Sequence, residues 1–143
     1  MRRRDAMRVS VGALVALTVP ARAQQLLAVQ QDATLDKVIA AFTDGTPIAE
    51  GGVSLILPDV AEDGYRVPVA IDAPQAEEAM LIAPGNPVLA VLKVRFGPLA
   101  GSQKLSTRMR LAQTQDVLVL ARKPDGSVGQ VARAVSVVVG GCA

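Results

Sequence analysis

The first periodic segment of the chain predicts an α-helix ahead of a β-rich body. Four apolar side chains recur at intervals of three and four residues, which places them on one side of a helix. These side chains are Leu35, Val38, Ile39 and Phe42. Asp32 or Thr34 provides an N-cap, and Asp44-Gly45 provides the stop signal. We expect the apolar stripe to pack on the main body; docking to a partner is the alternative.

From Gly51 onward the apolar residues repeat every second position, which is the period of a β-strand. The seven predicted strands, separated by turn residues, are 53–57, 66–71, 80–83, 88–96, 104–111, 117–122 and 128–139. Pro68 favours an edge position for the second strand, and Lys123-Pro124-Asp125-Gly126-Ser127 predicts a hairpin between the last two. The pattern is typical of an all-β fold, an immunoglobulin-like antiparallel β-sandwich with a short N-terminal helix. A small open barrel is the alternative.

Two of the predicted strands are more apolar than a sandwich requires. Residues 88–92 and 117–120 carry apolar side chains on both faces, whereas the outer face of a sandwich is normally polar. A helix over the outer face would explain either strand alone. The two together favour a face that is covered by another chain.

Residues 1–23 are typical of a secretory signal peptide. A start rich in arginine, including Arg2, Arg3 and Arg4, precedes an apolar stretch at 9–19 and an A-x-A cleavage pattern at Ala21-Arg22-Ala23. The apolar stretch is shorter than the roughly 20 residues that span a bilayer, so no membrane segment is expected. The arginine pair resembles the twin-arginine type, which exports folded proteins.

The charge of the chain depends on this signal. The signal contains five of the fifteen basic residues and one of the thirteen acidic residues, so the mature chain carries a net charge of about −2. One Tyr, two Phe and no Trp leave little on which bases could stack, and nucleic-acid binding is therefore excluded. We expect a signal at 1–23, a helical segment at 24–50, a β-sandwich domain at 51–139 and a flexible arm at 140–143.

Histidine is absent, and Cys142 is the single cysteine. These counts exclude Ser-His-Asp and Cys-His catalysis, His-based zinc chemistry, an intrachain disulfide and a CxxC redox pair. Cys142 follows Gly140 and Gly141 directly after a valine-rich strand, so we expect the thiol to hang from a rigid body on a short flexible stalk. An unpaired thiol in an exported protein requires a reason.

Several sequence blocks, taken in order, resemble the SoxY family of sulfur carriers. The blocks are the twin-arginine signal, Phe42-Thr43-Asp44-Gly45, residues 52–64, Val67-Pro68-Val69, residues 106–117 and Gly140-Gly141-Cys142. The resemblance extends over essentially the whole chain. It implies a periplasmic substrate carrier without a cofactor of its own, not an enzyme.

The resemblance also implies partners and site residues. Cys142 would hold thiosulfate-derived sulfur covalently, with Gly140 and Gly141 as the hinge of the arm. The implied partners are a small β-sandwich subunit of the SoxZ type, in a heterodimer, and haem-containing, dimanganese and sulfane-oxidising Sox enzymes. The block at 106–117 is expected to be structural. The family typically ends Gly-Gly-Cys-Gly-Gly, whereas Ala143 follows Cys142 here, and residues 72–83 look abbreviated.

Two other functions remain as alternatives. The first is an exported interaction module whose Cys142 forms an intermolecular disulfide. The second is a thiol enzyme such as a sulfurtransferase or peroxidase, although no base or resolving residue adjoins Cys142 in the sequence.

Overall fold

Two β-sheets and one short helix make up residues 34–138, the part of the chain that this computed structural model describes. The elements in chain order are α1 (Leu35–Thr43), β1 (Ile48–Glu50), β2 (Ser54–Ile56), β3 (Val60–Ala61), β4 (Val67–Asp72), β5 (Glu78–Ile82), β6 (Ala90–Arg95), β7 (Lys104–Met109), β8 (Gln115–Arg122) and β9 (Val128–Val137). The predicted β-sandwich with a short helix is therefore confirmed. The predicted signal peptide and arm lie outside the described residues.

The larger sheet has the strand order β1-β9-β8-β5-β6, with β3 also paired to β9, and the smaller sheet has the order β2-β4-β7. The long pairings are antiparallel, as expected, but β1 and β3 both run parallel to β9. These two strands are three and two residues long, too short to produce a periodic pattern, and the sequence did not predict them. β1 falls within the segment 24–50 that was assigned to the helical region.

The helix begins and ends where the sequence indicates. Thr34 occupies the N-cap position, although its side chain makes no capping hydrogen bond. Asp44 takes a left-handed conformation and donates its N–H to the carbonyl of Ala40, which ends the helix. Asp32, the other predicted cap, lies outside the described residues.

Apolar side chains pack in two layers. The main core fills the space between the two sheets and includes Leu55, Ile71, Leu81 and Val119. A second core lies between α1 and the outer face of the larger sheet, and its buried members are Phe42, Ile82, Leu120 and Val128. The apolar stripe of the helix therefore packs on the main body, as predicted.

This second core corrects the argument for a partner at residues 117–120. Val117 and Val119 face the main core, and Leu120 on the opposite face is fully buried under the helix. The outer face of β8 is apolar because α1 covers it. Leu118 on the same outer face is partly buried, whereas the apolar residues at 88–92 include two that are exposed, Val88 at 55% and Val91 at 36%.

Two details of the smaller sheet differ from expectation. β4 is its central strand, not an edge, but Pro68 lies beyond the end of β2 and is paired only with Arg108 of β7. The missing N–H of Pro68 therefore interrupts no ladder on the β2 side. In 104–111 the sequence predicts Leu105, Thr107, Met109 and Leu111 as inward positions. Met109 and Leu111 are buried and Leu105 is partly buried, whereas Thr107 is exposed.

The predicted hairpin between β8 and β9 is present. Lys123 donates its N–H to the carbonyl of Ser127, and Gly126 has a φ of 87°, a value that side-chain-bearing residues rarely adopt. The hairpin fixes the register between β8 and β9, and β9 then runs to the base of the predicted arm.

Candidate functional site at the end of β9

The predicted site residues Cys142, Gly140 and Gly141 lie outside the described residues. The structure describes the chain as far as Val138, four residues before Cys142. It therefore reports on the surface from which the predicted arm extends.

Hydrogen bonds from two other segments hold the end of β9. Ser136 donates its N–H to the carbonyl of Asp59, and Val138 donates its N–H to the carbonyl of Ala61, both at 2.9 Å. On the other side, the N–H of Val137 is bonded to Oγ1 of Thr114 at 2.9 Å. The backbone is thus fixed up to the last described residue.

A close backbone approach tightens the same region. Gly64 accepts a hydrogen bond from the N–H of Leu111 at 2.8 Å. A Cβ at Gly64 would lie 2.7 Å from the Leu111 carbonyl oxygen and 2.9 Å from Cγ1 of Val137, both too close for a real side chain. Gly64 therefore brings the 59–66 loop, the end of β7 and the end of β9 together.

The charged side chains near this end include two arginines with different partners. Arg133 lies 3.7 Å from the carboxylate of Asp59, an exposed ion pair. The guanidinium of Arg110 lies 4.8 Å from the centre of the Tyr65 ring, within the range of a cation–π contact. Within residues 34–138, Arg110 makes no ion pair with a carboxylate.

A groove of about 380 Å³ lies beside the 110–115 segment, and its lining includes Pro87, Val88, Val91, Arg110 and Ala112. The side chain of Asn86, also in the lining, shapes one wall. Its Nδ2 donates to the Arg110 carbonyl at 2.7 Å, and its Oδ1 accepts the N–H of Ala112 at 2.9 Å. This asparagine links the turn before β6 to the segment that holds β9.

Sequence reasoning singled out only the thiol arm and treated the 106–117 block as structural. In the structure this block supplies Leu111 and Thr114, which hold the base of the predicted arm. It also supplies Arg110, an exposed charged residue that the sequence analysis did not single out. Asn86 falls between the predicted strands 80–83 and 88–96 and was not singled out.

Two negative findings hold for the described part of the chain. No group of three or more His, Cys, Asp or Glu side chains within residues 34–138 is placed to hold a metal ion. No helix in that part of the chain is long and apolar enough to cross a membrane.

Comparison with solved structures gives two kinds of similarity. The sulfur carrier protein SoxY from Chlorobium limicola f thiosulfatophilum is 29% identical, covers 74% of this chain and 97% of its own, and superposes with a TM-score of 0.65. Superoxide reductase (neelaredoxin) from Ignicoccus hospitalis covers 73% of this chain and 94% of its own with a TM-score of 0.51, but only 12% identity, and shows a shared fold alone. A comparison with curated proteins finds no significant match.

The family comparison includes the cysteine that the structure does not describe. The family model described as "Sulfur oxidation protein SoxY" matches residues 38–142, from within α1 through Gly140, Gly141 and Cys142. Because this match extends over well more than half of the chain, the protein belongs to the SoxY family of sulfur oxidation proteins.

Proposed function

We propose that this protein is a periplasmic carrier that holds thiosulfate-derived sulfur on the thiol of Cys142 and presents it to the enzymes of sulfur oxidation. The observation that carries the proposal is the family match, which continues through Gly140-Gly141-Cys142. The solved structure that shares the fold at 29% identity is named a sulfur carrier protein. On this account the chain carries sulfur and is not itself an enzyme.

The anchored end of β9 suits a carrier. The hydrogen bonds of Ser136, Val137 and Val138 fix the point from which the arm leaves. Cys142 lies four residues beyond Val138, so its Cα can lie up to roughly 14 Å from that of Val138. A thiol on such a thin support can enter an enzyme pocket that the β-sandwich cannot.

Cys142 is proposed to undergo an oxidation that loads thiosulfate, followed by a hydrolysis that releases sulfate. The thiol and thiosulfate form a new S–S bond to give Cys–S–S–SO₃⁻. This oxidation releases one proton to solvent and two electrons to a haem enzyme. Water then cleaves the terminal S–S bond, releasing sulfate and a proton and leaving a persulfide on Cys142. Cysteine suits this role because its sulfur forms S–S bonds reversibly, and a chain with no second cysteine cannot expel the cargo by forming an internal disulfide.

A partner subunit and an export route complete the proposal. Val91 in the edge strand β6 and Val88 just before this strand are exposed, which supports a heterodimer with a small β-sandwich subunit of the SoxZ type. The arginine-rich start at 1–23 supports export through the twin-arginine route.

Cys142→Ser tests the covalent role. We expect the variant to take up no sulfur when it is incubated with thiosulfate and the sulfur-oxidation enzymes, as measured by intact mass. Its melting temperature should stay within about 1 °C of the native value, because the cores lie within residues 34–138. Sulfur loading at an undiminished level in Cys142→Ser would overturn the proposed function.

A further inference from the structure

The smaller sheet presents a flat outer face to solvent. Side chains alternate along a strand, so every second residue of β2, β4 and β7 points away from the space between the sheets. Strand pairing places Ile56 beside Ala70, Ala70 beside Ser106, and Pro68 beside Arg108. Ile56 is 64% exposed. The centre of this face is therefore made of small or apolar side chains.

Positive charge collects on the same face, which together with the residue before β4 and the residue after β7 is called the basic face. The basic face contains four basic residues and one acidic residue, whereas the rest of 34–138 contains six basic and ten acidic residues. Its charged members are Arg66, Asp72, Lys104, Arg108 and Arg110. Asp72 is paired with Lys104 at 3.3 Å. The described chain thus has one positive face on a body that is otherwise negative.

Three arginines of the basic face have no carboxylate partner within residues 34–138. Arg66, Arg108 and Arg110 are exposed and take part in none of the ion pairs of the described chain. The acidic residues nearest to them in sequence, Glu62 and Asp63, form no ion pair with them either. Clustered like charges repel one another, and an acidic surface laid against them would relieve this repulsion.

The arginines lie at the end of the sandwich from which the predicted arm extends. Leu111 follows Arg110 and donates its N–H to the carbonyl of Gly64 at 2.8 Å. A Cβ on Gly64 would lie 2.9 Å from Cγ1 of Val137. Cys142 is five residues beyond Val137, so its Cα stays within roughly 17 Å of that of Val137. An enzyme that encloses Cys142 must therefore approach the body beside these arginines.

We propose that the basic face is a docking surface for the enzyme that loads Cys142, and that this enzyme carries acidic side chains beside its pocket. Arg66, Arg108 and Arg110 attract the carboxylates, and the apolar centre around Ile56 supplies contact area. The inference rests on the proposed function. It adds a surface through which the body of the carrier, and not its arm, is recognised.

Loading kinetics test the basic face in the mature chain bound to its partner subunit. The probe is the haem enzyme from the same organism with excess thiosulfate, and loaded Cys142 is measured by intact mass over a range of carrier concentrations. We expect Arg108→Glu to lower kcat/KM for the carrier about tenfold at low ionic strength, with kcat unchanged. The loss should fall to about twofold in about 0.5 M salt, which screens the attraction. Arg108→Lys, which keeps the charge, should retain most of the native rate.

Two further variants separate local charge from net charge and from apolar contact. Lys123→Glu is the matched control, because Lys123 lies in the hairpin at the opposite end of β9, is in none of the ion pairs within residues 34–138, and changes the net charge equally. It should stay within about twofold of the native kcat/KM. Ile56→Ser should raise the KM for the carrier about threefold at both salt concentrations, because it removes apolar contact that salt does not screen.

Three results would overturn the docking surface. Equal losses in Arg108→Glu and Lys123→Glu would show that net charge alone sets the rate. A higher KM for thiosulfate in Arg108→Glu would show that the arginines collect the free anion. A weaker heterodimer in Arg108→Glu, measured by analytical ultracentrifugation, would assign the basic face to the partner subunit. None of these results touches the carrier function, which fails only if the native chain takes up no sulfur on Cys142.

Discussion

Strands β8 and β6 have similar apolar sequences and very different surroundings. β8 lies inside the larger sheet between β9 and β5, with the main core on one face and α1 on the other. β6 is an edge strand that, within residues 34–138, pairs only with β5, and it has a bulge opposite Leu81 and Ile82. Val119 is fully buried, whereas Val91 is 36% exposed.

The difference shows that apolar residues on the outer face of a strand have two distinct causes in this fold. In β8 the apolar outer face belongs to an internal core that a nine-residue helix completes. In β6 the apolar residues near its start remain at the surface, beside the groove and the base of the arm. Lys93 and Arg95, together with the bulge, protect the rest of this edge against nonspecific strand pairing.

The largest effect is expected where the helix covers β8. Phe42 is almost completely buried and joins α1 to Ile82, Leu120 and Val128. We expect Phe42→Ala to lower the free energy of unfolding by about 3–5 kcal/mol in denaturant titrations. Tyr65→Ala, at a site that is 70% exposed, is the control and should cost less than about 1 kcal/mol. Equal losses in the two variants would mean that α1 adds little to the fold.

A matched pair of valines compares the two strands directly. Val119→Ala removes two buried methyl groups from the core face of β8 and should cost about 2–3 kcal/mol. Val91→Ala removes the same atoms from β6 and should cost less than about 1 kcal/mol, because Val91 already contacts water. If both cost the same in denaturant titrations, another chain or segment covers Val91 in solution.

Much of this fold follows from local pattern in the sequence. The helix was predicted because Leu35, Val38, Ile39 and Phe42 share one face and Asp44 can adopt a left-handed stop. The other seven strands were predicted from apolar alternation or, at 80–83, from a short apolar run. β2 is as short as β1, but it lies within the alternating segment 53–57. β1 and β3 were missed because strands of three and two residues owe their formation to pairing with β9, a long-range contact that a local pattern does not contain.

Which element covers the outer face of β8 also depends on contacts between residues far apart in the sequence. The same apolar run is compatible with a partner chain or with the protein's own helix, and only tertiary packing decides between them. At the candidate site, the thiol was evident from its Gly-Gly-Cys context. The contacts of Arg110 with Tyr65, and of Asn86 with Ala112, were not evident, because they join residues 45 and 26 positions apart.

The smallest effect concerns Glu78 on β5, which connects the two compared strands. Its carboxylate is bonded to Arg122 of β8 and lies 3.4 Å from Lys93 of β6. The hydrogen bond from Arg122 is the main cause that lowers the pKa of Glu78 below its ordinary value of 4.5, with the charges of Lys93 and Arg122 adding to it and burial opposing it. At neutral pH we expect Glu78→Gln to cost about 1 kcal/mol.

The pH dependence of this effect has a definite sign. Because the pKa is lower in the folded chain than in the unfolded chain, the stabilisation is complete above pH 4.5 and disappears as the pH falls through the lower folded value. The difference in melting temperature between the native chain and Glu78→Gln should therefore shrink as the pH falls below 4.5. Glu77→Gln is the control. It removes the ion pair between Glu77 and Arg95, and the Glu77 side chain is more exposed than that of Glu78. A difference that stays constant over this range would contradict the ionic role of Glu78.

The carrier role of Cys142 is tested most directly by the intact mass of the protein isolated from the organism that makes it, grown with thiosulfate. The account predicts species heavier than the free-thiol chain by the mass of a thiosulfate or persulfide adduct, located on Cys142 by peptide mapping and removed by dithiothreitol. A chain recovered only with a free thiol, or only as a covalent dimer through Cys142, would contradict it.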